Sequence, residues 1–285
     1  MNQLAGFLVI DKPAGKTSHD LVAAVRRRLS IKQVGHAGTL DPMATGVLVI
    51  GVGNATKFLQ HIVAGTKRYL ATIQLGVSTS TDDREGEILE THDATVITDS
   101  QIHEALANFH GTIEQVPSSV SAIKVDGKRA YDRVRAGEEV KLAARSVTIS
   151  ELRVIAIRRD PALEIEIELT CSAGTYVRAI ARDLGQALGV GGHLTALRRT
   201  LVAPFEIDVA EPVDSAPIIP LANALRTFLP IRVVSETEMR ELRFGRAISA
   251  TGSAGIVVAL SASDEVVAIM EDNERGAAPM TVFNP

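Results

Sequence analysis

The sequence predicts an α+β fold that contains helices and a half-buried sheet. Two segments, 67–77 and 163–171, alternate apolar and polar residues, which is typical of strands with one face on a core. Two other segments, 18–29 and 177–188, repeat apolar residues at helical spacing. Since 46% of the 285 residues are hydrophobic, the chain can form one large domain, or one domain with a small appendage.

Length, leader and cysteine content restrict the class of protein. The sequence contains no run of 18 apolar residues, so we expect no membrane span. Its first 15 residues lack a basic leader followed by a long apolar stretch, so we expect no signal peptide. A single cysteine, Cys171, excludes an internal disulfide and fits a reducing compartment. We therefore expect a cytoplasmic protein.

Charge is unevenly distributed along a chain whose net charge is −4. Residues 1–60 carry seven Lys or Arg against three Asp or Glu, and residues 121–147 carry seven against four. Residues 81–104 carry one against eight. Such a distribution permits a basic face for a polyanion on an acidic protein, and solvated surface patches are the alternative interpretation.

The first elements in the chain are a strand and a helix. Residues 6–10 form a continuous apolar run that predicts a buried strand, and a Pro/Gly turn follows it. Ser18 is the expected N-cap of the helix, with Asp20 in its first turn. Basic residues end this helix, where they complement its dipole or contact phosphates: Arg26, Arg27, Arg28 and Lys32.

A twelve-residue loop, 35–46, then leads into the apolar strand 47–50. It contains three glycines, a histidine and a proline after Asp41, so its backbone holds one carboxylate among few bulky side chains. An ordinary Asp-Pro turn is the alternative. The Gly-x-Gly after this strand does not predict a dinucleotide site, because Thr56 replaces the third glycine.

The segment 67–77 is predicted to be a strand on whose buried face Tyr69 lies. The chain has three tyrosines and no tryptophan, so few aromatic rings are available to stack on a base. An acidic segment, 78–90, follows. Asp82 and Asp83 have no neighbouring histidine or regular ligand spacing, so we expect a solvated loop and no metal site. A short amphipathic helix is expected at 100–109.

The second half of the predicted sheet includes Cys171 on the apolar face of 163–171. A nucleophilic thiol is one interpretation, and a buried, inert thiol is favoured by the periodicity. In the helix that follows, Arg178 and Arg182 lie outside the apolar stripe, which indicates exposure to solvent. Prolines at 212–220 and Pro230 then indicate a joint before a small β unit with five Arg against eight Asp or Glu.

Several motifs resemble those of the TruB family, the tRNA pseudouridine-55 synthases. The string GHAGTLDPMATGVLVIG, residues 35–51, is similar to the family signature. The strings DKPAGKTSHD, CSAGTYVRAIARDLG and GGHLTALRRT resemble further family motifs. Residues 115–140 resemble the family's RNA-gripping region, and there we expect a turn at Asp126-Gly127 and Tyr131 in a helix.

The resemblance implies a fold and a division of the chain. Residues 1–227 would form the pseudouridine-synthase fold, with a mixed, mostly antiparallel sheet and flanking helices. Residues 228–285 would form a small β-rich, PUA-like RNA-binding domain.

The resemblance also implies roles for individual residues. Asp41 matches the catalytic aspartate, and Arg178 matches its arginine partner, which would keep the carboxylate ionised and oriented. Tyr69 matches a tyrosine that lies against the target base, where it could also accept a proton. The residues implied in substrate binding are His36, Lys12, Lys67, Tyr176, Leu197, Lys124 and Arg129.

The implied activity is isomerisation of the T-loop uridine at position 55 of tRNA to pseudouridine. The C1′–N1 bond breaks, the base turns, and a C1′–C5 bond forms, which requires no cofactor and no metal. The carboxylate would bond to the sugar, stabilise charge at C1′ or remove a sugar proton, and the sequence leaves these open. The implied partner is the tRNA T arm, and we expect a monomer.

Other interpretations of the same sequence remain. A non-catalytic tRNA-binding or tRNA-folding protein would use the same surface without needing Asp41. A uracil methyltransferase using Cys171 would need a methyl-donor site, for which no suitable Gly-rich loop is present. Guide-RNA-dependent relatives of the dyskerin type share these motifs, but normally carry extra basic extensions.

Overall fold

The computed structural model describes residues 4–118, 124–125, 128–129 and 142–283. Within these ranges six α-helices are present: α1 (Ser18–Leu29), α2 (Leu59–Ala64), α3 (Asp99–Ala107), α4 (Val177–Ala187), α5 (Leu221–Leu225) and α6 (Glu236–Arg243). None of the helices in the described part of the chain is both long enough and apolar enough to cross a membrane.

A large mixed sheet organises the first 220 residues. The strands of this part are β1 (Gly6–Lys12), β2 (Val34–His36), β3 (Thr45–Val52), β4 (Lys67–Leu75), β5 (Val77–Thr79), β6 (Ile88–Thr91), β7 (Gly111–Gln115), β8 (Lys124–Val125), β9 (Lys128–Arg129), β10 (Arg145–Arg158), β11 (Glu164–Cys171), β12 (Gly192–Val202), β13 (Phe205–Glu206) and β14 (Ile219–Pro220).

Ten of these strands pair in the order β14-β1-β3-β12-β4-β11-β10-β7, with β2 joined to β3 and β13 to β12. All of the pairings are antiparallel except the short contact between β12 and β3. The predicted α+β class with a mixed, mostly antiparallel sheet is therefore confirmed. The separate pairs β5-β6 and β8-β9 lie outside this sheet.

The two alternating segments predicted as strands are β4 and β11, and they lie side by side. Tyr69 pairs with Leu169, and Lys67 pairs with Cys171, in an unbroken antiparallel register. Every second residue of β4 is buried, as the sequence pattern predicted. The buried face packs with α3 and α4 in one hydrophobic cluster, so the sheet presents its central strands to the helix that carries Arg178.

The N-terminus of α1 differs from the predicted one. Thr17, not Ser18, is the N-cap, and it forms a capping box with Asp20. Ser18 is buried, and its hydroxyl accepts a hydrogen bond from the Leu40 backbone N–H at 3.0 Å. The predicted N-cap was wrong by one residue because either hydroxyl residue could cap the helix. Thr17 does so, and the Ser18 hydroxyl instead bonds to the neighbouring loop. The basic last turn of α1 is present as predicted, and there Arg26 donates to the Val34 carbonyl at 2.9 Å.

The C-terminal region is β-rich, as predicted, and contains a sheet of four strands in the described ranges. These are β15 (Ile231–Val233), β16 (Ile256–Leu260), β17 (Val266–Asn273) and β18 (Gly276–Val282), in that order. One hydrophobic cluster joins this sheet to the N-terminal part, and the rings of Phe58 and Phe283 stack within it with centroids 5.5 Å apart. A shared core of this kind couples the two regions energetically.

The segment predicted to grip RNA is described only at β8 and β9, where Lys124 pairs with Arg129. The predicted turn at Asp126-Gly127 and the helix around Tyr131 lie outside the described residues.

Replacing Phe283 with alanine should lower the free energy of unfolding by roughly 3 kcal/mol, because a buried ring in the shared core is lost. Urea denaturation followed by circular dichroism would measure it. Met280→Ala in β18, the strand that ends just before Phe283, is the control. Met280 is 61% exposed, and its loss should cost less than about 0.5 kcal/mol. Equal effects of the two substitutions would contradict the shared core.

Candidate active site

Lys12 fixes the loop that carries Asp41. Its side chain is fully buried, and its ammonium donates to three backbone carbonyls, those of Ala44 at 2.6 Å, Pro13 at 2.9 Å and Pro42 at 3.1 Å. Burial lowers the pKa of Lys12 to about 8, and the nearby Asp41 carboxylate acts against that shift. The expected role of Lys12 in contacting substrate is therefore corrected: it holds the loop from inside.

Arg199 fixes the same loop from the sheet. It is 2% exposed, and its guanidinium donates to the carbonyls of Val47 at 2.8 Å, Gly38 at 3.2 Å and Thr39 at 3.4 Å. Gly46 has a φ of +98°, and a Cβ there would lie 2.1 Å from the Arg199 carbonyl oxygen. The close approach of the loop to β12 therefore requires glycine at this position.

Asp41 forms a two-point ion pair with Arg178, which lies in the first turn of α4. Arg178 Nε lies 3.0 Å from Asp41 Oδ2, and Arg178 Nη2 donates to Asp41 Oδ1 at 3.2 Å. The arginine side chain is 6% exposed and the aspartate side chain 33% exposed. This geometry orients the carboxylate and leaves part of it open to the adjacent cavity.

Asp83 is the second carboxylate of the site, and the sequence did not identify it. Its Oδ2 lies 3.5 Å from Arg178 Nη1, which also donates to the Thr81 carbonyl at 2.9 Å. Asp83 Oδ1 accepts from the Thr81 hydroxyl at 2.6 Å. Arg178 thus lies between two carboxylates, which fix its guanidinium plane.

Two expectations for this region were wrong. The acidic segment is not simply solvated, since Asp83 is 3% exposed, and Arg178 is buried rather than exposed. Both errors have one cause: the 81–83 loop folds back over the polar face of α4 and covers it. Arg182, one turn later, contacts Asp82 at 3.3 Å and Asp183 at 2.8 Å. The periodicity of a helix reflects the helix alone and carries no information on a loop that covers it.

A cavity of about 260 Å³ opens beside the Asp41–Arg178 pair. Three elements supply its principal side chains: the Asp41 loop, the sheet and the start of α4. The cavity is lined by six of the predicted site residues: Asp41, Lys67, Tyr69, Tyr176, Arg178 and Leu197. Arg199, which was not predicted, also lines it. The structure therefore brings six of the ten predicted residues to one place.

Tyr69 lies on the cavity floor and is 8% exposed. Burial raises the pKa of its phenol, and the adjacent Arg199 guanidinium acts in the opposite direction. The phenol is therefore neutral near pH 7, which disfavours the expected role as a proton acceptor and leaves its ring as a surface for stacking.

Lys67 lines the cavity, but its ammonium is committed to the end of α2. It donates to the carbonyls of Val63, Gly65 at 2.6 Å and Ile62 at 3.4 Å. Burial lowers the pKa of Lys67 to about 8. The ammonium therefore already has three acceptors, and the expected role of Lys67 in substrate binding stays a prediction.

His36 lies in β2 at the start of the Asp41 loop and is not among the residues that line the cavity. Its ring meets the ring of His19 edge-on, with centroids 5.4 Å apart, and burial lowers its pKa. Its role in holding RNA stays a prediction, as do the roles of Lys124 and Arg129, whose side chains lie outside the described part of the structure.

Cys171 is 1% exposed, and burial raises the pKa of its thiol to about 11. A thiol in this state is a poor nucleophile at neutral pH, which agrees with the inert interpretation. Across the described ranges, no three His, Cys, Asp or Glu side chains are grouped so that they could hold a metal ion.

Comparison with known proteins gives full-length matches. A model of the TruB family pseudouridylate synthase N-terminal domain matches residues 26–177, and models of two C-terminal domains of tRNA pseudouridine synthases match residues 178–216 and 229–284. The tRNA pseudouridine synthase B of Arthrobacter sp. strain FB24 is 49% identical over 298 residues, covering 99% of this chain and 97% of the relative. That of Corynebacterium diphtheriae is 49% identical over 290 residues, with the same coverage.

Solved structures share the fold at lower identity. A chain of a Cbf5-Nop10-Gar1 complex superposes with a TM-score of 0.71 at 24% identity, covering 98% of this chain and 85% of that one. A chain of an H/ACA RNP bound to a substrate RNA containing 2′-deoxyuridine gives 0.69 at 23% identity, with the same coverage. These likenesses establish the fold.

Replacing Lys12 with methionine should destabilise the protein by roughly 2 kcal/mol. The reason is that three backbone carbonyls, those of Pro13, Pro42 and Ala44, lose their hydrogen-bond donor. Urea denaturation at pH 7 would measure the change. Lys16→Met is the matched control: Lys16 is exposed, and its loss should change stability by less than about 0.5 kcal/mol. A Lys12→Met protein as stable as this control would contradict the internal role of Lys12.

Proposed function

Because the chain belongs to the TruB family of pseudouridylate synthases and isomerises uridine in tRNA, we propose that its target is the T-loop uridine at position 55, with Asp41 as the catalytic carboxylate. The observation that carries this proposal is the Asp41–Arg178 ion pair at the wall of the cavity. Arg178 holds the Asp41 carboxylate on one side, and the other side of the carboxylate is open to the cavity.

The reaction rearranges one nucleotide and leaves its atom count unchanged. The C1′–N1 bond breaks, the uracil turns, C5 bonds to C1′, and the proton from C5 is finally replaced by one on N1. An ionised carboxylate serves this sequence by bonding to the sugar, by stabilising positive charge at C1′ or by removing a sugar proton. In each case the acting group is an oxygen of Asp41 facing the cavity, and no cofactor or metal is required.

Arg178 orients that oxygen. Its two-point contact fixes the plane of the carboxylate, and Asp83 fixes Arg178 from the opposite side. A carboxylate held in this way needs little reorganisation when charge develops on the sugar, which is how a preorganised site lowers a barrier.

The target base would lie between the cavity walls. Tyr69 offers a neutral aromatic ring for stacking, and Leu197 and Tyr176 supply further apolar surface. The uridine must leave the T-loop stack to reach Asp41, at a cost of a few kcal/mol. Phosphate contacts with basic residues outside the cavity offset this cost, so binding should weaken as salt rises. The protein acts as a monomer in the cytoplasm in this proposal.

The substrate assignment is tested with an unmodified tRNA transcript and the purified full-length protein, with no cofactor and with chelator present. Pseudouridine is mapped by chemical labelling and primer extension. We expect one modified uridine, at position 55 of the T loop, and none in a transcript with cytidine at that position. Modification elsewhere in the tRNA would contradict the position, and tRNA binding without any pseudouridine would favour the RNA-binding alternative.

Replacing Asp83 with asparagine should slow pseudouridine formation by roughly tenfold to hundredfold under single-turnover conditions, because Arg178 loses one of its two charged supports. Binding of tRNA, measured by filter retention, should change little. Glu87→Gln removes one charge from the same segment at an exposed position and is the control. Should Asp83→Asn react as fast as that control, Asp83 would have no part in orienting Arg178.

A further inference from the structure

Tyr176 is held by two residues of the sheet edge that the reaction scheme does not use. Gln115 ends β7, Arg145 begins β10, and the two are directly paired across the strands. Both side chains contact Tyr176, which precedes α4 as its N-cap and lines the cavity two residues before Arg178.

Gln115 holds the backbone of Tyr176. Its Nε2 donates to the Tyr176 carbonyl at 3.0 Å, and its Oε1 accepts from the Tyr176 N–H at 2.8 Å. The glutamine is 1% exposed, so both of its polar atoms depend on this contact. The side chain of Tyr176, the N-cap residue, forms no capping hydrogen bond with α4. The Gln115 amide instead fixes the backbone of Tyr176 where the helix begins.

Arg145 holds the ring of Tyr176. Its guanidinium carbon lies 5.0 Å from the ring centroid, a cation–π stacking distance. In the turn before α4, Gly174 has a φ of +85°, a conformation that favours glycine, and the Arg145 guanidinium lies beside it.

One nitrogen of the Arg145 guanidinium lowers the stability of the fold. Its Nη2 is buried and has no hydrogen-bond partner among the described residues. An unpaired buried donor costs free energy, and a neutral side chain at this edge would avoid that cost. The interaction that accompanies this cost is the contact of the guanidinium with the Tyr176 ring.

We propose that Gln115 and Arg145 form a positioning pair that sets the Tyr176 ring as a wall of the cavity and, with it, the start of the helix that carries Arg178. The pair acts through Tyr176 on the bound nucleotide and touches no reacting atom. The proposal rests on the proposed function, since it assigns residues to the same reaction.

The test compares Arg145→Lys with Arg145→Gln under single-turnover conditions with saturating protein and unmodified tRNA. Stacking needs the planar guanidinium, which lysine lacks. Both variants should therefore lose at least about tenfold in rate, while the Kd for tRNA should change by less than about threefold. Full activity in Arg145→Lys, or a loss confined to the Kd, would overturn the proposal in favour of a simple charge contact with RNA.

The matched control is Arg153→Gln, which removes a charge from the same strand at a side chain that is 68% exposed and paired with Glu168. Its rate should equal that of the unchanged protein, and a loss equal to that of Arg145→Gln would overturn the proposal. A double variant, Arg145→Gln with Tyr176→Leu, should react no more slowly than Tyr176→Leu alone, because the two residues act as one unit. Additive losses would also overturn the proposal.

Gln115→Met tests the second member of the pair. It keeps the side-chain length and removes both hydrogen bonds to Tyr176, so we expect a loss of rate with a Kd within about threefold of the unchanged value. A Gln115→Met protein that is folded by circular dichroism and fully active would overturn the pair. If the unchanged protein binds tRNA but forms no pseudouridine, the proposed function itself fails, which separates that failure from failure of the pair.

Discussion

The site depends on two buried cations that hold one loop by its backbone carbonyls. Lys12 holds the loop after Asp41, and Arg199 holds it before Asp41 and at the entry to β3. Carbonyl groups are strong acceptors that must be paired when buried, so a loop that turns its carbonyls inward needs donors there. The side chains of Lys12 and Arg199 provide these donors, which backbone N–H groups would provide in a strand or a helix. The loop is therefore fixed although its backbone is irregular, and Asp41 is fixed with it.

The rest of the site is arranged around that fixed carboxylate. Helix α4 brings Arg178 to Asp41, and the folded-back acidic loop brings Asp83 to the other side of the same guanidinium. Buried charges are stable only when they are paired and hydrogen-bonded, and here one arginine satisfies two aspartates. The fold therefore uses contacts between distant segments, rather than one local motif, to orient the catalytic group.

The sequence predicted the parts of this arrangement that local patterns control. Alternation identified β4 and β11, and the motif resemblance identified Asp41 and Arg178 as partners. Patterns did not predict that Asp83 is buried or that Lys12 points inward, because both depend on a loop folding over another element. The N-cap is Thr17 and not the predicted Ser18, since two adjacent hydroxyl residues give the same local signal. They are distinguished by the hydrogen bond that the Leu40 backbone N–H donates to the Ser18 hydroxyl.

The most direct measurement is the single-turnover rate of pseudouridine formation for Asp41→Asn and Asp41→Glu, with tRNA binding measured in parallel. Asparagine keeps the size of the side chain and removes its charge, and glutamate keeps the charge and displaces it by one carbon. We expect normal tRNA binding in both variants, a rate reduced by at least about 10⁴ in Asp41→Asn, and a measurable but slowed reaction in Asp41→Glu. Pseudouridine formation by Asp41→Asn at close to the unchanged rate would contradict the catalytic role of Asp41.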